Sequence, residues 1–318
     1  MWLLIGGAFL GWALGANHAA NLFGTAVCCQ AVRYRTAVLV SAAFIIAGAL
    51  VQGHAGLESY NGLQAQTPVT AFITTFTAAV MVALMTVARL PVSASQAVVG
   101  AILGISLAES LAGRAPSLDP ATLTKIVVCW VTTPATGALC AVLLYGVTTG
   151  ILRVWRPDLI TREFAIRSGL IAAVAYAAFA LGANNVANVV GPLYGAGLLR
   201  EHMFAAELFG GIFMALGVAT FGRRVMETIG SDIVPLEPIT ALVAVLAEAI
   251  TVHFYAVLGV PVSTTQAIVG AVFGIGLLKG MRTIRYGTLA RIGAGWVLTP
   301  LCTAILTLIA MLGVNALR

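Results

Sequence analysis

Asparagine stands at matching spacing in two apolar stretches. The first reads GANHAAN at 15–21 and holds Asn17 and Asn21; the second reads GANNVAN at 182–188 and holds Asn184, Asn185 and Asn188. An amide facing hydrocarbon is costly, so such groups are buried among partners or turned toward a ligand. Two more stretches carry hydroxyls and an amide behind a proline. PVSASQ at 91–96 holds Ser93, Ser95 and Gln96, and PVSTTQ at 261–266 holds Ser263, Thr264, Thr265 and Gln266. All these side chains donate hydrogen bonds and none carries a charge. That chemistry suits a small oxyanion. The candidate binding residues are therefore Asn17, Asn21, Asn184, Asn188, Ser93, Ser95, Gln96, Ser263, Thr264, Thr265 and Gln266. Titratable groups in apolar runs are functional candidates by default. They are His18, Glu207 and Glu248, and with Asn185, the position that matches His18, they make up the candidate coupling residues. An unperturbed imidazole titrates at about 6.5, within reach of a coupling proton. No catalytic residue, cofactor or metal cluster is expected; sodium is compatible with the GAN loops.

Helix ends must place these groups. Gly15 and Gly182 can each end a helix, and the asparagines that follow can cap the next one. Pro91 and Pro261 break the chain, with Ser93 or Ser95 and Ser263 or Thr264 as caps for the helices that follow. Four helix starts would then meet near the membrane midplane. Each offers unpaired N–H groups and the positive end of a dipole.

Composition puts those helices in a bilayer. The chain has 318 residues, 60% hydrophobic and 9% charged, with mean hydropathy +1.01. A soluble globule of this length could not hide so much apolar surface. Ten hydrophobic stretches, near 2–30, 36–53, 68–88, 92–112, 122–149, 168–199, 203–222, 238–258, 262–278 and 287–313, are each long enough to span. If each crosses once, twelve basic residues from Arg33 to Arg285 fall on one side and four (Arg114, Lys125, Arg200 and Arg318) on the other. The rich side is then cytoplasmic and both termini lie outside, in the inner (plasma) membrane. Net charge is +6. With no basic-aromatic patch it reports loop topology and not nucleic acid. No HExxH, GxSxG or paired-carboxylate pattern points to an enzyme. The five cysteines lie in apolar runs without metal spacing.

The chain also repeats itself. GANHAAN recurs as GANNVAN, PVSASQAVVGAILGISL as PVSTTQAIVGAVFGIGL, and CWVTTP as GWVLTP, at offsets of 167, 170 and 166. Five stretches per half give the halves opposite orientation. Such inverted repeats with interrupted helices are the build of secondary transporters. The fold expected is an all-α polytopic membrane protein of two inverted repeats, 1–150 and 168–318, joined by a basic cytoplasmic linker, 151–167. Its broken helices or re-entrant segments meet at a midplane site. An anion channel is the competing class, and a homodimer is compatible.

GANHAANLFGTAV and GANNVANVVG resemble the GANDxAN signatures of the inorganic phosphate transporter (PiT) family. PVSASQ and PVSTTQ resemble its PVSTTH segments. The resemblance covers nearly the whole chain. It implies cation-coupled uptake of a tetrahedral oxyanion, usually phosphate and in some relatives sulfate. The family's aspartate is replaced by His18 and Asn185, and its histidine by Gln96 and Gln266. A family glutamate is matched by Glu207, with its first-half counterpart near Ile45. Phosphate near neutral pH keeps a proton that wants an acceptor; sulfate has none, and a carboxylate repels it. Two unit charges about 4 Å apart interact by roughly 4 kcal/mol at an effective dielectric near 20. Loss of both aspartates therefore favours sulfate, driven by protons through His18, Glu207 or Glu248. A phosphate symporter coupled to Na+ or H+ is the alternative.

Overall fold

The computed structural model describes residues 2–28, 30–88, 92–115, 117–229, 237–280 and 286–316; within them the side chains of 20, 25, 28, 58, 61, 62, 223–229 and 286 are left undescribed. Among these residues the chain is helical throughout, and eight helices are long and apolar enough to cross a membrane. The chain is a multi-pass membrane protein.

Helix α1 (Leu4–Ala19) winds into a π turn (Ala20–Gly24) and a short α2 (Thr25–Cys28). Then come α3 (Tyr34–Gln52), α4 (His54–Leu63), α5 (Pro68–Val87), α6 (Ala94–Leu111) and α7 (Pro120–Trp155). The second half holds α8 (Leu159–Gly195), α9 (Met203–Ile229), α10 (Pro238–Val257), α11 (Thr264–Lys279) and α12 (Tyr286–Ala316). The segment 151–167 is helical apart from residues 156–158. Start signals are written locally. Thr67 and Thr70 form a capping box ahead of Pro68 in α5. Asp119 caps α7 with Pro120 behind it, and Asp158 caps α8.

One expectation fails. Neither GAN glycine ends a helix: α1 runs through Gly15 to Ala19 before it winds into the π turn, and α8 runs unbroken through Gly182 to Gly195. The GAN stretches are helical and not loops, and the number of helix starts at the centre falls from four to two. The glycines serve contact instead. A Cβ on Gly15 would overlap the Met214 carbonyl oxygen, and one on Gly182 the Ile45 carbonyl oxygen. Without side chains there, backbones meet at a distance any larger residue forbids.

These contacts come in pairs. Gly15 meets Met214 as Gly182 meets Ile45, and Gly217 meets Trp12 as Gly48 meets Phe179. Likewise Gly100 meets Pro300 as Gly270 meets Pro134. Thus α1 packs on α9 as α8 packs on α3, and α6 on α12 as α11 on α7. The pairing equates Ile45 with Met214, an offset of 169, so the first-half counterpart of Glu207 is Val38 and not a residue near Ile45. Helices α6 and α11 are buried almost throughout. Helices α7 and α12 turn Val131, Leu139, Leu143, Val297, Leu301 and Ile309 outward, as lipid-facing helices do.

Candidate functional site

The two proline turns do start helices. Ser93 caps α6, its Oγ accepting from the Gln96 N–H at 3.3 Å, and Ser263 caps α11, accepting from the Gln266 N–H at 3.2 Å. Ser95 Oγ lies 3.1 Å from Ser93 Oγ. Pro91 lies outside the described residues. The turns touch across the halves, where the Thr265 hydroxyl donates to the Val92 carbonyl at 3.0 Å. Two capped N-termini are thereby brought close together.

Helix α1 closes on the second turn. His18 Nδ1 stands 2.9 Å from Thr264 Oγ1, and Asn21 Nδ2 donates to Thr265 Oγ1 at 3.1 Å. Asn21 Nδ2 is also 3.3 Å from His18 Nδ1. That nitrogen thus faces two donors, an amide and a hydroxyl, which fits the tautomer with its proton on Nε2. Asn17 Nδ2 donates to Thr86 Oγ1 at 2.8 Å, and that hydroxyl donates to the Val82 carbonyl at 2.6 Å.

Helix α8 holds the same turn from another direction. Asn184 clamps Val262, donating to its carbonyl at 2.8 Å and accepting from its N–H at 3.0 Å. Asn188 Nδ2 donates to Asn185 Oδ1 at 2.7 Å, Asn185 Nδ2 to the Leu181 carbonyl at 3.3 Å, and the Tyr60 hydroxyl to Asn188 Oδ1. These side-chain bonds explain why the helix stays whole. The amides find tertiary and in-helix partners, so α8 does not need to open to satisfy them.

The sequence-derived residues therefore divide. His18, Asn21, Thr264 and Thr265 form one network that joins the halves, with Ser93, Ser95 and Gln96 beside it through Val92. Asn17 and Asn184 act on neighbouring backbone and hydroxyls. Asn185 and Asn188 form a second network with Tyr60. Glu207 and Glu248 are buried in α9 and α10, and each leaves one carboxyl oxygen unpartnered. Neither joins the networks. Each of these residues, and Ser263 and Gln266 with them, is at most 8% exposed. Gln96 Oε1 and Gln266 Oε1 are buried without partners. Among the described residues no three His, Cys, Asp or Glu side chains converge. Tyr60 and Thr86 went unread in the sequence. Tyr60 lies in a short helix between the apolar runs, and Thr86 is one of several threonines in α5 with nothing to distinguish it.

Paired membrane helices packed through glycine, around a sealed cluster of amides and hydroxyls that joins two halves, are the build of a membrane carrier. The profile of the phosphate transporter family matches residues 14–307, and the chain belongs to that family. Among similar proteins, a candidate phosphate permease of Methanocaldococcus jannaschii is 30% identical, covering 94% of this chain and 92% of its own. The inorganic phosphate transporter 2-1, chloroplastic, of Arabidopsis thaliana is 24% identical over 93% of this chain and 69% of its own. Among solved structures, a sodium-dependent phosphate transporter superposes with TM-score 0.86 at 23% identity, covering 100% of both chains. The expected lean to sulfate finds no support here. The family and these relatives are named for phosphate, so the alternative, phosphate, fits better.

Proposed function

We propose that this protein is a secondary carrier that imports inorganic phosphate together with a cation, binding the anion where α1 meets the α6 and α11 starts. Support comes from the His18–Thr264 and Asn21–Thr265 contacts, which join the halves at two capped helix N-termini. Helix starts are ready-made oxyanion sites. The buried amide oxygens of Gln96 and Gln266 favour phosphate over sulfate. They are acceptors, and only phosphate has a proton to give them. Two glutamines thus take over a role that a carboxylate would otherwise fill, without its repulsion.

The two halves are inverted repeats in this reading, because their paired glycine contacts exchange at matching offsets. The basic residues around 153–167 face the cytoplasm, with both termini outside the cell membrane. Uptake of labelled phosphate into liposomes carrying the purified protein tests the substrate. Phosphate should accumulate and a tenfold excess of sulfate should leave its uptake unchanged. Sulfate uptake that matches or exceeds phosphate uptake would overturn the assignment. Counterflow of labelled phosphate, without net current, separates a carrier from a channel.

A further inference from the structure

Away from the central cluster, the junction of α7 and α8 combines three cations with apolar side chains that no part of the described chain covers. A cavity of about 350 Å³ opens there between the end of α7, the start of α8 and the start of α10. Arg153, Arg156 and Arg162 line it together with Tyr145, Leu152 and Ile239. Among the described residues none of the three arginines forms an ion pair. The nearby acids are already engaged: Glu237, which also lines the cavity, lies 3.1 Å from Lys279, and Glu163 lies 2.8 Å from Arg167.

Arg156 adds a second observation. It ends α7 in the left-handed conformation, φ 46° and ψ 50°, a place where glycine or asparagine is usual. Its Nε donates to the Arg153 carbonyl at 3.3 Å, so the guanidinium is folded back beside Arg153. The backbone is strained here at a residue that carries a cation, where glycine would avoid the Cβ clash.

The flanks are apolar. Val154 is 87% exposed, Leu159 81% and Ile160 80%, and Trp155 and Phe164 are exposed as well. Helix α7 has 36 residues, about 54 Å at 1.5 Å each, against a hydrocarbon core of about 30 Å. Its end must overhang the core, and the cavity lies at that overhang. Cations beside tryptophan and exposed aliphatic side chains at this depth match the boundary between headgroups and acyl chains.

We propose that this cavity binds the phosphate headgroup of an anionic phospholipid. The arginines take the phosphate, and Trp155, Leu159 and Ile160 lie along its acyl chains. A free phosphate ion would satisfy the same guanidinium groups but would leave those apolar side chains in water, which is why the lipid is chosen.

Native mass spectrometry of the full chain, titrated with phosphatidylglycerol or phosphatidylcholine, tests this. Phosphatidylglycerol should bind and phosphatidylcholine should not. The triple substitution Arg153→Gln, Arg156→Gln, Arg162→Gln should weaken phosphatidylglycerol binding at least tenfold, and millimolar inorganic phosphate should not displace the lipid. If the triple variant does not fold, Arg162→Gln alone should weaken binding about threefold. Unchanged binding by the folded variant, equal binding of phosphatidylcholine, or displacement by inorganic phosphate overturns the proposal.

Discussion

At His18 and Asn21 an anion would meet donors and no fixed charge. Asn21 reaches Thr265, and His18 reaches Thr264, so the end of α1 and the π turn after it both act on the start of α11. A hydrogen bond to a charged group is worth roughly 1.5–3 kcal/mol, and each 1.4 kcal/mol is tenfold in affinity. Asn21→Leu should therefore weaken phosphate binding roughly ten- to a hundredfold while the folded yield holds, measured by uptake against concentration and by size-exclusion chromatography. Asn184→Leu should behave differently. It would leave the Val262 N–H and carbonyl buried and unpaired, at about 1–3 kcal/mol each. Its mark should be a lowered melting temperature as much as lost transport; a variant that melts like wild type would show that the clamp contributes nothing. These different parts could not be read from the sequence, where the two asparagines look alike. Residue type and spacing marked the amides as candidates, but partner identity depends on which turn each helix meets.

On the scale of the helices, glycine was open to two readings. Gly15 and Gly182 can end a helix or let two backbones touch, and spacing alone does not separate these. The structure selects contact, because the Met214 and Ile45 carbonyls occupy the space a Cβ would need. Gly182→Ala should thus destabilise the protein by about 1–3 kcal/mol, as overpacking does, and not by loosening a helix end. Thermal unfolding in detergent measures it, and a neutral or stabilising effect would restore the reading as a helix end. The serines were legible because capping is local. Sequence narrowed each cap to two residues, and the bonds to the N–H groups three residues on select Ser93 and Ser263. Ser263→Ala should cost about 1 kcal/mol of stability. It should also weaken phosphate binding, since α11 would start less sharply. Outside the membrane, Asp119 caps α7 and is held below its ordinary value near 3.8, first by the Thr122 hydroxyl and then by the Thr122 N–H. Its cap is then fully present above that ordinary value and is lost as pH falls through the lower, folded-state value. Amide protection in the first turn of α7, taken relative to the intrinsic exchange rate at each pH, should fall in acid, and Asp119→Asn should remove that acid sensitivity.

For the whole molecule, a sealed site means that transport needs a second arrangement of the halves. The central network crosses between them, from α1 to the start of α11 and from Thr265 to Val92, so it must loosen when the site opens to either side. A cation that strengthens anion binding in one arrangement can drive this cycle. Which cation it is turns on His18. Among the described residues no cluster of acids is present to hold a metal ion, and the buried Glu207 and Glu248 stand apart from the network. Within the central network, sodium would meet neutral oxygens alone. In a proton-coupled cycle the seat would be His18, whose imidazole would then carry a positive charge beside the anion. By linkage, the bound anion should make that proton harder to lose, and the proton should tighten the anion by the same factor. The hypothesis is proton coupling through His18. Phosphate uptake into liposomes should rise as the external pH falls with the interior held at pH 7.5, and should not need sodium. His18→Gln should flatten that dependence while leaving phosphate exchange at equal pH intact, because glutamine keeps an acceptor toward Thr264 but cannot carry the proton. If the pH dependence survives in His18→Gln, Glu248→Gln is the next variant to measure. Uptake that demands a sodium gradient and ignores an imposed pH gradient would sink the proton mechanism and leave the neutral oxygens of the network as the sodium site.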